Sequence, residues 1–326
     1  TEAVLEDLKT IVGAEYVLTE PEKLEQYQTD EETDPRKFHL PEAVVLPKDA
    51  QEIAAVIKLA NTYDVPVTVR SGGTSLAGGA IPVCGGIVLL MERLNKIIEL
   101  NAEGVYMEVE AGVRTVDIQK YANEAGFLYA GDPCSAESCL IGGNIATNAG
   151  GNKAVRYGVT RDQVYAVEVV TPTGEIVELG ARLKKKSTGY CLEQLIMGSE
   201  GTAVFSDPEQ ALDVVPKIMQ AGINPTSVEY MDNSYVRGTA EYLEFKGAPH
   251  YENGIYVIIT VETFSEDELD LKMEQLDELC SAAGAVDVLE ADERIWDMRR
   301  NCQESVRLIS LVSLTDDVVV PVNEIA

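Results

Sequence analysis

The chain has 326 residues, 45% of them apolar, so it is long enough for two domains with real cores. Its 26 basic and 55 acidic side chains give a net charge of −29, which excludes an ordinary nucleic-acid partner, because phosphate binding needs clustered cations. No apolar run approaches the ~20 residues of a membrane-spanning helix, and the acidic opening Thr1–Leu8 is no secretion signal. The negative charge reads as a well-solvated surface rather than an acidic docking face.

Val4, Leu5, Leu8, Ile11 and Val12 recur at helical spacing and predict an opening amphipathic helix. Tyr27 to Pro41 is polar and turn-rich, a loop. Ala43–Leu46 reads as a strand, and Asp49-x-x-Glu52 after it as a capping box. The helix it starts places Ile53, Val56, Ile57 and Ala60 on one face. Val65–Val69 is the next strand, so a βαβ unit with parallel strands is expected. Directly behind it, Arg70-Ser71-Gly72-Gly73-Thr74-Ser75-Leu76-Ala77-Gly78-Gly79 sets four glycines among hydroxyls, at the carboxyl end of a strand where α/β ligands usually sit. Successive N–H groups in such a turn form an anion-binding concavity, and Arg70 adds charge suited to phosphate. The word is neither the Walker phosphate loop nor the GxGxxG fingerprint, so a diphosphate on a different scaffold is expected.

Ile87–Met91, Ile97–Leu100 and Val105–Glu110 are short strand-like runs. A helix follows from about Thr115 to Ala125, stopped by Gly126. The stretch Gly131–Gly158 holds two glycine pairs, Gly142-Gly143 and Gly150-Gly151, around Asn144–Ala149, all small or polar apart from Ile145. Helix propensity is poor here and no two-residue alternation appears, so the stretch is expected to be ordered loop that touches a ligand. Tight turns are the other reading of doubled glycine. Val164–Val170 and Glu175–Leu179 predict a strand pair around the Thr171–Gly174 turn. Lys184-Lys185-Lys186 is a basic run that reads first as solvated loop, with a ligand-side contact just before Thr188-Gly189-Tyr190 as the other reading. Asp207-Pro208 starts a helix, Ile255–Val261 is strand-like, and Ser265-x-x-Glu268 caps a helix bearing Leu269, Met273, Leu276 and Leu279. With Val286–Leu289 as a further strand, this half predicts a separate α+β domain.

The six cysteines, Cys84, Cys134, Cys139, Cys191, Cys280 and Cys302, form no CxxC pair and read as reduced thiols of a cytoplasmic protein. The two histidines, His39 and His250, stand far apart in sequence.

Several words together resemble a known family. They are Pro66-Val67 with Arg70–Ser75, Gly131-Asp132-Pro133, Ile141–Gly151, Arg156-Tyr157-Gly158-Val159-Thr160-Arg161-Asp162, Thr188-Gly189-Tyr190 and Gly198–Thr202. The chain is similar to the FAD-linked oxidases of the vanillyl-alcohol oxidase and para-cresol methylhydroxylase (PCMH) type. Within them it resembles the branch of the D-lactate dehydrogenases and the flavin-binding glycolate oxidase chains. The resemblance implies an α+β fold, with a two-subdomain PCMH-type FAD-binding domain over residues 1–204. An α+β cap, or substrate, domain would occupy 205–326 and be incomplete in this chain. After Thr202 the family word would continue as an apolar strand of the Leu-Gly-Ile-Ile-Thr type, whereas this chain runs Ala203-Val204-Phe205. Either that strand is lost or the numbering closes over further residues. The second is expected, because losing the strand would open a sheet edge beside the flavin.

By the same resemblance, FAD would be held at its diphosphate by Arg70, Ser71, Gly72, Gly73, Thr74, Ser75, Leu76 and Gly78. Asp132, Pro133, Gly142, Gly143, Asn144, Thr147, Asn148, Gly150 and Gly151 would line diphosphate and isoalloxazine, followed by Tyr157 and Gly158. Glu200 and Gly201 would lie by ribose and adenine. Members that attach FAD covalently use a His at the place of Thr74, so non-covalent FAD is implied here. The chain departs from the family at Ala181, usually Gly, and at Cys191, usually Asp.

In the cap, Arg294-Ile295-Trp296-Asp297-Met298-Arg299 resembles the family's Trp-x-x-Arg word, so Arg299 would grip a 2-hydroxy acid carboxylate as a bidentate fork. A surface-helix arginine paired with Asp297 or Glu304 is the reading without the family. Asp316–Pro321 also fits. The family's two histidine-rich words, which supply a divalent metal site and the general base, are not among these residues, so base and metal ligands are expected beyond Ala326. The expected activity is FAD-dependent oxidation of a D-2-hydroxy acid, D-lactate or glycolate, with hydride passing to flavin N5. The electron acceptor would be an iron–sulfur subunit, an electron-transfer flavoprotein or quinone, and a homo-oligomer is expected. Alternatives are a non-catalytic FAD relay subunit of a larger complex and a D-2-hydroxyglutarate specificity.

Overall fold

The computed structural model describes residues 2–32, 34–183, 191–197, 225–245, 247–250, 252, 254–261, 265–282, 285, 287–289, 293–301 and 305–306. The expectations for Lys184–Lys186, Thr188–Tyr190, Gly198–Thr202, the helix at Asp207 and Asp316–Pro321 lie outside these residues. Two compact units result: residues 1–150 with 159–201, and residues 151–158 with 202–326.

In the first unit, helix α1 (Glu2–Val12) buries Val4, Leu8 and Val12, three of one turn-spaced face. After β1 (Val17–Leu18) and the short α2 (Pro21–Leu24), β2 (Ala43–Val45) leads into α3 (Ala50–Tyr63), and β3 (Val67–Arg70) and β4 (Ile87–Leu90) follow. The expected βαβ unit is present with one addition. Strands β2 and β3 both run parallel to β4, which lies between them in a β1-β2-β4-β3 sheet. Strand β4 is therefore covered on both faces, and its residues alternate between two cores. Ile87 and Leu89 join α1, Val45 and Val56, while Val88 and Leu90 join Leu24 and Val44.

Half of the predicted capping box forms. Asp49 accepts the Glu52 backbone N–H at 2.8 Å, but the Glu52 carboxylate reaches one residue further back, to the Lys48 backbone N–H at 2.9 Å. It also pairs with the Lys48 ammonium, which draws it away from Asp49.

The rest of this unit comprises two hairpins and short helices. Strands β5 (Ile97–Asn101) and β6 (Tyr106–Val109) pair antiparallel, as do β7 (Ala166–Val170) and β8 (Ile176–Gly180). Helix α4 (Thr115–Glu124) ends where predicted, with Gly126 at φ 81°.

The glycine-rich stretch corrects the sequence reading. Ile141–Thr147 is a helix, α5, and short helices α6 (Ala154–Tyr157), α7 (Thr160–Gln163) and α8 (Glu193–Ile196) follow. Close packing overrides propensity here. A Cβ on Gly142 would stand 3.0 Å from the Ala111 carbonyl oxygen, and one on Gly143 3.2 Å from Ser71 Cβ. Both glycines let the first turn of the helix sit directly on neighbouring chain.

The second unit contains α6 and an antiparallel pair, β9 (Ser227–Met231) with β10 (Tyr256–Thr260). It also contains α9 (Asn233–Tyr242), α10 (Glu266–Ala282) and α11 (Glu293–Arg300). Met231, Ile258, Val236, Ala240, Ile295 and Met298 form one core, and Leu276 packs with Val257, Ile259 and Leu279 in another. Leu269 and Met273 of α10, expected on the buried face, are exposed, and residues 287–289 form no strand. Neither β9 nor α9 was legible as an element in the sequence.

Candidate active site

The first unit brings the two glycine-rich words together. The loop after β3 lies against the backbone before α5: a Cβ on Gly72 would stand 2.7 Å from the Ser138 carbonyl oxygen. Ser71 fills the space that Gly142 and Gly143 leave, with its Oγ 3.3 Å from where a Gly142 Cβ would be. Residues seventy apart in sequence thus share one seam, and glycine is required on both sides of it.

The loop carries an array of main-chain donors. The backbone N–H groups of Gly72, Gly73, Thr74, Ser75 and Leu76 donate to no backbone or side-chain acceptor among the described residues. All five residues are only half-buried, and Gly73 has φ 67°. Consecutive unpaired N–H groups at the carboxyl end of a parallel strand suit a diphosphate, so these residues fit FAD. Gly78 at φ 77° closes the loop, accepting from Ile81 N–H at 3.1 Å.

Arg70 behaves differently from the sequence reading. Its guanidinium is buried beneath the loop, donates from Nη1 to the Thr29 carbonyl at 2.6 Å, and lies 5.7 Å from the Tyr27 ring centre. Its charge reaches the loop from below.

Other predicted residues hold neighbours in place. Asn144 is buried, and its Nδ2 donates to Thr115 Oγ1 at 2.6 Å, which in turn lies 3.3 Å from Cys139 Sγ. Asn144→Ala should lower the stability of the first unit by about 1–3 kcal/mol, the cost of leaving buried partners unsatisfied, as read by urea unfolding. A change below about 0.5 kcal/mol would show that the trio is not a stabilising network. Thr147 Oγ1 donates to the Gly143 carbonyl at 3.1 Å. Asn148, at φ 50°, ends α5 and accepts the Arg161 backbone N–H at 2.9 Å. Thr160 and Arg161, to which the sequence reading gave no role, tie the end of the second glycine word. Thr160 Oγ1 donates to the Ala149 carbonyl at 2.7 Å, and Arg161 Nη2 to that of Met197 at 2.8 Å.

Asp132 and Pro133 are half-buried beside Gly131, whose carbonyl accepts from Gln119 Nε2 at 2.6 Å. The adjacent Tyr129 hydroxyl is buried with no partner among the described residues, and burial pushes its pKa up to about 12, so it stays protonated. A recess of ≈ 550 Å³ opens beside Gly72 and Ser138, but Glu92, Arg114 and Asp117 line it. Asp117 already pairs with Arg114 at 2.8 Å, so the lining repels rather than attracts a diphosphate.

Gly151, Tyr157 and Gly158 belong to the second unit, while Glu200 and Gly201 lie outside the described residues. Arg299, near the end of α11, is half-buried, and its Nε donates to Glu229 Oε2 of β9 at 2.8 Å. Of the two partners in the reading without the family, Asp297 pairs with Arg300 at 3.0 Å, and Glu304 lies outside the described residues.

Neither histidine is placed for a metal: His39 Nδ1 lies 2.7 Å from the Lys37 carbonyl and His250 Nε2 3.1 Å from Asp287. Among the described residues no three His, Cys, Asp or Glu side chains form a metal-binding group. The divalent metal implied by the resemblance does not fit the described residues. Cys84, Cys134, Cys139, Cys191 and Cys280 are free thiols, and among the described residues no helix is long and apolar enough to cross a membrane.

Residues 41–180 match the FAD binding domain family, and residues 200–326 match the C-terminal domain of FAD linked oxidases. The chain belongs to the FAD-linked oxidases. It is 35% identical over 320 aligned positions to a D-lactate dehydrogenase of Anaerostipes hadrus, covering 88% of this chain and 66% of that protein. It is 31% identical to glycolate oxidase subunit GlcD of Bacillus subtilis (strain 168), covering 90% of this chain and 67% of that protein. The chain thus spans about two thirds of the length of these curated relatives. Its fold matches alkyldihydroxyacetonephosphate synthase at a TM-score of 0.72 and 20% identity, over 95% of this chain and 69% of the other. It matches p-cresol methylhydroxylase at 0.67 and 16%, over 97% and 70%. These structural matches bear out the expected PCMH-type α+β architecture, and the cofactor of this flavoprotein family is FAD.

Thr74, which the family resemblance sets at the place of the covalent members' His, lacks a nucleophilic ring. Denaturing the purified protein should therefore release its FAD into the supernatant. Yellow colour staying with the precipitated chain would contradict this assignment.

Proposed function

We propose that this chain is the flavin- and substrate-binding part of an FAD-dependent dehydrogenase of D-2-hydroxy acids, of the D-lactate or glycolate class. The observation that carries the reading is the likeness to a D-lactate dehydrogenase and to a glycolate oxidase subunit over nearly the whole chain. In this reading residues 1–204 hold FAD and 205–326 form the cap over the substrate. The main-chain N–H groups of Gly72–Leu76 bind the diphosphate, and the seam of Ser71, Gly142 and Gly143 fixes the loop against α5. FAD, when bound, supplies the hydride acceptor. Arg299 binds the substrate carboxylate, and its Nε bond to Glu229 sets the plane of the guanidinium.

Electrons leave for a separate acceptor, an iron–sulfur subunit, an electron-transfer flavoprotein or quinone, consistent with the "subunit" in the name of the glycolate oxidase relative. A cytoplasmic location, peripheral to the membrane through such a partner, accords with the free thiols. D-2-hydroxyglutarate is the second reading, favoured by 34% identity to a D-2-hydroxyglutarate dehydrogenase of Stutzerimonas stutzeri (strain A1501) over 82% of this chain and 54% of that protein.

Steady-state assays of the complete protein with a dye acceptor separate these readings. They would compare D- and L-lactate, glycolate and D-2-hydroxyglutarate, with the 2-oxo product quantified. D-lactate or glycolate should give the highest kcat/KM. A preference for the L enantiomer, or no 2-oxo acid from any of them, would remove the proposal.

A further inference from the structure

The glycine-rich loop is not shaped by its own residues alone, because a segment forty residues earlier fastens it at three points. Arg70 Nη1 donates to the Thr29 carbonyl at 2.6 Å. The Glu31 backbone N–H donates to the Ser75 carbonyl at 3.1 Å. The Ala80 backbone N–H lies 3.4 Å from Asp30 Oδ2, while Asp30 Oδ1 accepts the Glu32 N–H at 2.9 Å and so holds its own segment in a turn. The strap therefore grips the loop at its start, middle and end. The Ser75 carbonyl is the telling contact: its bond to Glu31 N–H fixes the peptide in the middle of the run of unpaired N–H groups.

Arg70 completes the arrangement from beneath. A Cβ on Gly73 would stand 2.1 Å from Arg70 Nη2 and 2.5 Å from Cζ, so the guanidinium lies directly against the loop's floor. It is buried, and Asp30 is the acid whose attraction acts most strongly on it. Burial pushes the Asp30 carboxyl up, and its N–H partners and Arg70 pull it back. A half-buried acid against a loop meant for an anion would oppose binding unless a cation and N–H donors offset it, and both are present.

We propose that Asp30 and Arg70 are positioning residues for the FAD diphosphate, acting through the Thr29–Glu31 strap to hold the Gly72–Leu76 N–H groups convergent. Arg70 lends its charge through the loop rather than by contact with the phosphates. The inference rests on the family's FAD alone and not on the substrate, so its failure leaves the dehydrogenase reading intact.

The test is FAD affinity of the complete protein after removal of its flavin, measured by fluorescence titration, beside the melting temperature of the same flavin-free protein. Asp30→Asn puts an amide donor or a weaker acceptor against the Ala80 and Glu32 N–H groups. Losing a charged hydrogen-bond partner should raise the FAD Kd roughly 10- to 100-fold. The melting temperature should stay within about 2 °C, since the strap lies outside the two main cores. Arg70→Lys keeps a cation beneath the loop but not the rigid fork, and should raise Kd about tenfold. If Asp30→Asn does not fold, Arg70→Lys decides alone. Unchanged FAD affinity in a folded variant overturns the proposal. So does a loss of affinity that appears only with a matching fall in melting temperature, because that outcome makes the strap a general structural element.

Discussion

Arg299→Ala in the complete protein should weaken use of a 2-hydroxy acid by roughly 30-fold to several thousand-fold while FAD stays bound. The range follows from the cost of truncating one partner of a desolvated, hydrogen-bonded charge pair, about 2–5 kcal/mol. The guanidinium sits half-buried at the end of α11, with Met298 beside it fully buried in the second unit's core, so its backbone is held by packing. Its Nε is committed to Glu229. Arg299→Lys should also be impaired, because an ammonium cannot both satisfy Glu229 and offer a planar fork to a carboxylate. The measurement is kcat/KM with the flavin content of each variant recorded. Unchanged kinetics in both would leave Arg299 as a structural partner of β9.

Leu89→Ala should cost about 2–5 kcal/mol, the range for emptying a fully buried leucine site that cannot collapse. Leu89 is buried in β4 between the two strands that carry the sheet, packed among Val45, Val56 and α1. Strand β4 also pairs with β3, whose last residue is Arg70, so loosening it loosens the base of the flavin loop. Urea unfolding reads the loss, and a change below about 1 kcal/mol would mean that the sheet's core is less continuous than its contacts indicate.

How much of this was legible depended on whether the signal was local. The α1 face, the Asp49 cap, the Gly126 stop and the β7–β8 hairpin are written in spacings of a few residues, and all formed near their expected positions. Helix α5 was misread because its reason is distant: Gly142 and Gly143 are poor helix formers, yet Ala111 and Ser71 press on them. The family words identified the cofactor, but not what each residue does. Asn144 and Asn148 read as ligand-facing amides and are occupied by Thr115 and Arg161. Asp30 carried no motif at all, since its contact with Ala80 spans fifty residues. Glu229 was equally hidden, seventy residues before the arginine it meets.

D-2-hydroxy acid oxidation is tested by anaerobic mixing of the complete, FAD-loaded protein with a panel of D- and L-2-hydroxy acids, following the visible absorbance of the flavin. D-lactate or glycolate is expected to bleach the flavin and yield one equivalent of 2-oxo acid, whereas L-lactate is not. Flavin that stays oxidised with every acid, yet is bleached by dithionite in the same sample, would contradict it.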